Sequence, residues 1–351
     1  MKYLLYGAYG FTGKLMADFS SEYGLTPTLA GRSLQPLQAL HDQTGYPYHC
    51  IGLDDVDALT ELVAGFDAVL HAAGPFSQTA RAMMEACLRG RTHYFDITGE
   101  LEVFEKAKRY DQAAREAGIL LMSGTGFDVV PTDCLAALLH QALPDADHLE
   151  LAIGASGGGI SHGTAQTMLA NLGSPGAIRS GGEIVRVPIG VQTRWVQFGS
   201  KRRFAMSIPW GDVSTAYHTT KIPNIVVYMA VPPSFAKINR FQSLYNPILR
   251  FAPVRKGLQA WVSQRITGPD AEARIRGRSL AWGRVSNAKG EAREAFYEGI
   301  EGYTFTAKMS LHIVREVLAG RVQDRGYATP AGVFGAKLVE QLQGCQIQLL
   351  P

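Results

Sequence analysis

The chain has 351 residues, of which 46% are hydrophobic and 19% charged, a composition that supports a sizeable core, excludes bulk disorder and suggests about two domains. The formal net charge of +3 conceals an asymmetry: the first 150 residues hold 10 basic and 20 acidic side chains, the remainder 24 and 11. No run of about 18 apolar residues is present, which excludes a membrane-spanning helix. Cys50, Cys87, Cys134 and Cys345 are scattered without a C-x-x-C pair, so neither a disulfide framework nor a zinc site is indicated. Met1–Gly7 lacks the long apolar stretch of a signal peptide, and a cytoplasmic location is expected.

The first 125 residues alternate short apolar runs with helical periodicity, the pattern of βαβ units and a parallel sheet. Strands are predicted at Tyr3–Tyr6, Thr26–Ala30, Tyr48–Ile51, Ala68–Ala72, His93–Ile97 and Ile119–Met122. Between them, helices are predicted over Phe11–Tyr23, Leu34–Gln43, Val56–Val63, Thr79–Arg89 and Val103–Ala117. This is the order of a doubly wound nucleotide-binding (Rossmann) sheet. After Gly124 the pattern changes. A helix from Pro131 to about Ala142 is followed by a strand at His148–Ile153, a Gly157–Gly159 break and a helix at Gly163–Leu172. Strand candidates then follow at Ile184–Ile189, Thr193–Phe198, Phe204–Ile208 and Ile225–Val231, and at Ser279–Ser286 and Arg293–Glu298 around an Asn287–Gly290 turn. Thr304–Leu318 reads as strand turning into helix, and Val333–Leu342 as a terminal helix. The expected architecture is α/β: a parallel Rossmann domain over 1–125 and an α+β substrate and dimerisation domain with an antiparallel sheet over 126–325. The segment 326–351 is expected as a C-terminal helix packing back on the first domain.

Gly7-Ala8-Tyr9-Gly10-Phe11-Thr12-Gly13 lies between the first strand and helix. Gly7 permits the tight turn, Gly10 lets backbone approach a pyrophosphate, and Gly13 lets helix pack on strand. The helix N-terminus adds free N–H groups and the positive end of a dipole. The second strand ends Leu29-Ala30-Gly31-Arg32-Ser33, without the carboxylate that grips the ribose hydroxyls of NAD. Arg32 can fork onto a 2′-phosphate and Ser33 can donate to it, which favours NADP(H). Asp54 and Asp55 either accept from an adenine amino group or cap the next helix. Ala73-Gly74-Pro75-Phe76 follows the fourth strand, where a close backbone turn runs along the pyrophosphate and nicotinamide ribose.

For proton chemistry, Asp96, Thr98 and Glu100 follow one strand end, and Phe127, Asp128 and Asp133 the next. Asp96 and Asp128 read equally as catalytic groups or structural hydrogen-bond partners; Thr132 and Asp133 read first as helix caps. Phe127 is expected beside the cofactor. Tyr217-His218-Thr219-Thr220-Lys221 contains Y-x-x-x-K, which needs a helix to bring the ammonium near the phenol, yet its surroundings alternate like a strand. Tyr217 or His218 can serve as a donor alone. Thr164, opening a predicted helix, can bind substrate or cap. No metal cluster emerges.

These segments together resemble the saccharopine dehydrogenase-like oxidoreductases, including their trans-acting enoyl reductase branch. The resemblance continues through Tyr94–Glu100, Gly124–Asp133, Gly211–His218 and Gly326–Ala331. It implies an NADP-dependent oxidoreductase, with saccharopine itself disfavoured: three carboxylates call for converging Arg forks, whereas Lys201–Arg203 and Arg274–Arg278 read as surface. Ile222–Phe235 and Tyr245–Phe251 are apolar, as an acyl pocket or a core would be. The expected function is reduction of an activated C=C or C=O bond on a small-molecule or carrier-bound acyl substrate. The alternative is an NADP(H)-binding regulatory or scaffold protein without catalysis. The basic half suggests an anionic carrier or a peripheral lipid surface, the latter supported by Phe235, Phe241, Phe251 and Trp261; nucleic acid has no binding module here. A homodimer is expected.

Overall fold

The structure is a computed structural model describing residues 2–157, 161–165, 173–239 and 268–350, with isolated positions between 241 and 257. The chain divides into two compact units, Met1–Val129 with Tyr303–Val333, and Val130–Gly302 with Phe334–Pro351.

In the first unit, β1 (Lys2–Tyr6) leads through α1 (Phe11–Phe19) to β2 (Thr26–Gly31), α2 (Leu34–Thr44), β3 (Tyr48–Cys50) and α3 (Val56–Val63). Next come β4 (Ala68–His71), α4 (Phe76–Gly90), β5 (His93–Asp96), α5 (Leu101–Arg109), α6 (Asp111–Ala117) and β6 (Leu120–Met122). The strands are parallel in the order β6-β5-β4-β1-β2-β3, and the short strand Gly326–Tyr327 extends the β6 edge. β1 is fully buried from Tyr3 to Leu5, as expected of a parallel strand covered on both faces. Each such leucine contributes about 1.5–3 kcal/mol of burial. The order reverses between β1 and β4, and their carboxyl ends form the crevice where ligands bind in open α/β sheets.

The second unit contains α7 (Val130–Ala142), β7 (His148–Ser156), the hairpin β8 (Gly176–Ser180) and β9 (Glu183–Val187), and the hairpin β10 (Thr193–Phe198) and β11 (Lys201–Ser207). It continues with α8 (Asp212–Thr220), β12 (Asn224–Ala230), α9 (Pro233–Asn239), α10 (Ala271–Arg276), β13 (Arg278–Ser286) and β14 (Ala292–Ile300). Its nine-stranded sheet runs β10-β11-β12-β7-β13-β14 and ends on the strand Gln346–Leu349, with β8 joined to β12. β7 and β12 pair in parallel, so the sheet is mixed and not purely antiparallel. A core of Val196, Phe198, Tyr228, Trp282 and Phe296 covers one of its faces.

Several expectations are corrected. Gly302–Leu318 is helical throughout, although Tyr303-Thr304-Phe305-Thr306 has strand propensity. Its buried Phe305, Thr306, Met309, Ser310, Ile313 and Val317 recur at helical spacing, so tertiary burial overrides the local preference. This segment belongs to the first unit, not to a domain ending at 325. The tail divides: Gly326–Tyr327 pairs with β6 and the short helix Pro330–Phe334 belongs to the first unit up to Val333, whereas after a turn of 3₁₀ helix at Leu338–Gln341 the strand Gln346–Leu349 pairs with β14 in the second unit. Tyr110 interrupts the helix predicted over Val103–Ala117. Most of Gly163–Leu172, together with Tyr245 and Trp261, lies outside the described residues. Within Ile222–Phe235, Asn224–Ala230 forms β12, whose Ile225, Val227 and Tyr228 are buried in the core, while Phe235 is exposed.

Candidate dinucleotide-binding site

The turn after β1 is tight enough to exclude side chains. Gly7 has φ +83° and its N–H donates to the Ala30 carbonyl at 2.8 Å; a Cβ here would lie 2.8 Å from the backbone of Ala72 and Ala73. A Cβ on Gly13 would lie 2.3 Å from the Gly7 carbonyl oxygen, so α1 packs against the loop at a distance only glycine allows. Gly10 is the N-cap of α1 and no side chain caps this end. The N–H groups of Thr12 and Gly13 therefore face the loop as donors for an anion. Tyr9 lays its ring against Gly31, where a Cβ would come within 2.5 Å of the ring.

At the end of β2, Arg32 is exposed and makes no hydrogen bond or ion pair with any described residue. Ser33 is the N-cap of α2 without using its hydroxyl as a cap. Both are thus available to an anionic group beside the glycine loop. Asp55 resolves to a cap, accepting from Asp57 N–H at 3.1 Å and Ala58 N–H at 3.0 Å; Asp54 is exposed.

Beyond the switch point, Ala73–Phe76 carries a cis Gly74–Pro75 peptide and leads into α4. The N-terminus of α4 is taken by the chain itself: the Glu100 carboxylate accepts from Phe76 N–H at 2.7 Å and Ser77 N–H at 2.9 Å. Thr79 Oγ1 donates to the Ala73 carbonyl at 2.7 Å, bracing the same turn. No local signal marks Glu100 as a cap, because its partners lie 23 and 24 residues upstream.

Asp96 is completely buried. Its Oδ1 accepts from the N–H groups of Thr98 (3.0 Å) and Gly124 (2.8 Å), and its Oδ2 from the Tyr94 hydroxyl (2.8 Å). The Tyr94 oxygen is in turn 3.2 Å from Nδ1 of buried His71. Burial pushes the Asp96 carboxyl up to about 6 and holds the His71 imidazole down to about 3, so His71 is neutral. This network ties together the ends of β4, β5 and β6. His71 and Tyr94 are partners of Asp96 that no spacing in the sequence reveals.

Asp128 differs. It is half-buried, its carboxyl packs on the backbone of Gly99, and burial together with the neighbouring Glu100 charge pushes its pKa up to about 7. Phe127 beside it donates its N–H to Thr306 Oγ1 at 3.0 Å and meets Phe305 edge to face, while Tyr303 meets Phe11 at 5.0 Å between ring centroids. The helix Gly302–Leu318 thereby adds Tyr303 to the loop rim, a contribution hidden by its distance in sequence.

Tyr217 and His218 belong to the second unit, on α8, and the surroundings are helical, not a strand. Even so, no Tyr–Lys dyad forms. Lys221 caps the helix in a left-handed conformation (φ 62°), donates to the His218 carbonyl at 2.9 Å and stands over the Tyr217 ring face, 5.8 Å from its centroid. The Arg179 guanidinium also stacks on that ring at 4.0 Å. Asp133 is buried and accepts from Thr219 Oγ1 at 2.6 Å, a link between α7 and α8. Among the described residues no cluster of His, Cys, Asp or Glu could hold a metal, and no helix is long and apolar enough to cross a membrane.

The parallel sheet, its glycine-only turn and the uncapped α1 define a dinucleotide-binding domain. Residues 3–122 match the family model of the saccharopine dehydrogenase NADP binding domain, which supports a nicotinamide dinucleotide as the cofactor. The chain is 30% identical over 188 residues to a lipid droplet localized protein of Caenorhabditis elegans, covering 48% of this chain and 44% of that one. It is 31% identical over 146 residues to a trans-acting enoyl reductase of Mycobacterium tuberculosis, covering 39% and 35%. The chain thus spans less than half the length of the curated relatives it matches. Among solved structures, it superposes on apo saccharopine dehydrogenase (L-Glu forming) of Saccharomyces cerevisiae with a TM-score of 0.66 at 12% identity, covering 100% of both chains. It also superposes on homospermidine synthase of Legionella pneumophila in complex with NAD, with a TM-score of 0.67 at 10% identity, covering 99% of this chain and 91% of that one. At these identities the superpositions establish the fold.

Proposed function

We propose that the chain is an NADP(H)-dependent reductase of an activated C=C or C=O bond on an acyl substrate, with Asp128 as the proton donor. When bound, the cofactor supplies a hydride equivalent; the chain must supply the matching proton and hold the acceptor. What supports the reading is the half-buried Asp128 carboxyl on the same sheet edge as the glycine loop, its pKa pushed up to about 7 by burial. Gly7, Gly10, Phe11, Thr12 and Gly13 would hold the pyrophosphate, Tyr9, Arg32 and Ser33 the adenosine side, and Ala73, Gly74, Pro75 and Phe127 the nicotinamide side. The trans-acting enoyl reductases among the relatives support a carrier-bound acyl group as the substrate. The reading also includes a cytoplasmic homodimer.

The test is oxidation of NADPH, followed by loss of absorbance, against a panel of enoyl and keto thioesters on CoA and acyl carrier protein. Turnover with at least one thioester, and faster with NADPH than NADH, is the expected outcome. Tight NADPH binding without turnover on any of them would favour the scaffold reading instead.

The exposed side chains of Phe235, Phe241, Leu244 and Phe251 support a lipid surface as a further partner of the second unit, in keeping with the name of the nematode relative. Co-sedimentation with anionic vesicles is expected, and weakened by the pair Phe241→Ser and Leu244→Ser. Equal recovery of variant and wild type in the pellet would sink this part.

A further inference from the structure

We infer that Tyr303, at the start of the helix Gly302–Leu318, is a binding residue for the nicotinamide half of the dinucleotide, its ring and that of Phe11 forming an aromatic wall beside the glycine loop. The inference rests on the cofactor alone; it needs neither the acyl substrate nor the role given to Asp128.

The placement follows from how the helix is anchored within the first unit. It lies alongside α1 and runs in the same direction. Tyr303 meets Phe11, the first residue of α1; further along, Lys308 pairs with Glu22 at 2.8 Å and stands over the Phe19 ring, and Arg315 stands over the Tyr23 ring. Another side of the helix is fixed to the segment after β6. Ser310 Oγ donates to the Thr125 carbonyl at 3.1 Å, Thr306 Oγ1 accepts from Phe127 N–H at 3.0 Å, and a Cβ on Gly126 would fall 2.5 Å from Thr306 Cγ2. These two lines of contact hold the first turn of the helix at the carboxyl edge of the parallel sheet, where α1 also begins.

The strand order selects the half of the ligand. A dinucleotide lies across the switch point with one mononucleotide on each half of the sheet. Arg32 and Ser33, on the adenosine side, follow β2 on one flank of β1, whereas β4, β5 and β6 lie on the other. The helix Gly302–Leu318 reaches from α1 to the segment after β6, so Tyr303 belongs to the second flank. Tyr303 and Phe11 meet edge to face, at 5.0 Å and 75° between ring planes, and each keeps part of its surface exposed. Rings so placed offer stacking or edge contacts to a planar heterocycle.

The experiment is calorimetric titration of the whole protein with NADPH, NADH and adenosine 2′,5′-bisphosphate, the last carrying the adenosine half and its 2′-phosphate without nicotinamide. Tyr303→Ala is expected to weaken both dinucleotides about tenfold, the upper end of what one aromatic contact contributes, and to leave the bisphosphate within about twofold of wild type. Tyr303→Phe, which keeps the ring, should bind all three like wild type. Unchanged dinucleotide affinity in Tyr303→Ala would overturn the inference, and so would parallel weakening of all three ligands, the mark of a damaged loop. Should Tyr303→Ala fail to fold, the wild type decides. With ¹³Cε-labelled tyrosine, the resonance lost in Tyr303→Phe is expected to shift on titration with NADP⁺ and to stay in place with the bisphosphate. A resonance indifferent to NADP⁺, or moved equally by the bisphosphate, would count against the wall. The proposed reaction fails separately: a protein that turns over no thioester still shows in these titrations whether NADPH binding depends on Tyr303.

Discussion

Asp128→Asn is expected to lower kcat by about 10²–10⁴-fold, the usual worth of a positioned general acid, with the NADPH dissociation constant nearly unchanged. Asparagine keeps the shape and mimics the neutral form that Asp128 holds up to about pH 7, so the packing on Gly99 survives. What it lacks is a transferable proton. Wild-type kcat should be flat at low pH and fall as pH rises through about 7, where Asp128 loses its proton, and this limb should vanish in the variant. The linkage to stability runs the same way. A carboxyl raised from 3.8 to about 7 binds more proton in the folded than in the unfolded state across that window. Folding stability therefore falls as pH climbs from 3.8 to about 7, and Asp128→Asn should flatten that slope in urea titrations. A variant with wild-type kcat and an intact alkaline limb would remove Asp128 from the chemistry.

The reach of sequence reasoning follows the range of the interactions involved. α3 begins and ends at Val56 and Val63 as the pattern predicts, because its cap, Asp55, bonds to N–H groups two and three residues away. β10 likewise matches Thr193–Phe198, a strand whose alternation is local. The glycine loop was readable because turn, backbone approach and helix packing each impose glycine within seven residues. By contrast, the bond that fixes the Gly74–Pro75 turn crosses more than twenty residues, and the one that holds Phe127 crosses 179. Neither leaves a periodicity to detect. Thr304–Leu318 shows the same limit in another form, since its first residues prefer strand and are made helical by contacts with Gly126 and Phe127, far upstream.

Asp96 and Asp128 show why residue type alone does not assign chemistry. Asp96 ends one strand and Asp128 follows another of the same sheet, and the sequence offers the same two roles for each. Burial separates them: Asp96, holding two backbone donors and a tyrosine, is sealed, while Asp128 keeps exposed surface. A carboxyl already holding three donors is poorly suited to exchange its proton with a substrate.

Arg32→Glu should reverse the choice of nucleotide, weakening NADPH by about a hundredfold or more while changing NADH by only a few-fold. The first contribution is the lost charge-assisted contact to a 2′-phosphate, about 1.5–3 kcal/mol, to which the introduced carboxylate adds repulsion. NADH lacks that phosphate, and a carboxylate at the end of β2 could instead accept from its ribose hydroxyls. The chain makes this a clean comparison, because Arg32 is exposed and bonded to no described residue, so its replacement breaks no internal ion pair. The packing of Tyr9 on Gly31 is likewise independent of the arginine head group. Fluorescence titration of both nucleotides checks the outcome; parallel weakening of the two would show that Arg32 does not read the phosphate. Exposure has a further consequence: the wild-type preference for NADPH should shrink as salt rises and the Arg32 charge is screened, while NADH affinity, resting on the glycine loop and the α1 N-terminus, should change less.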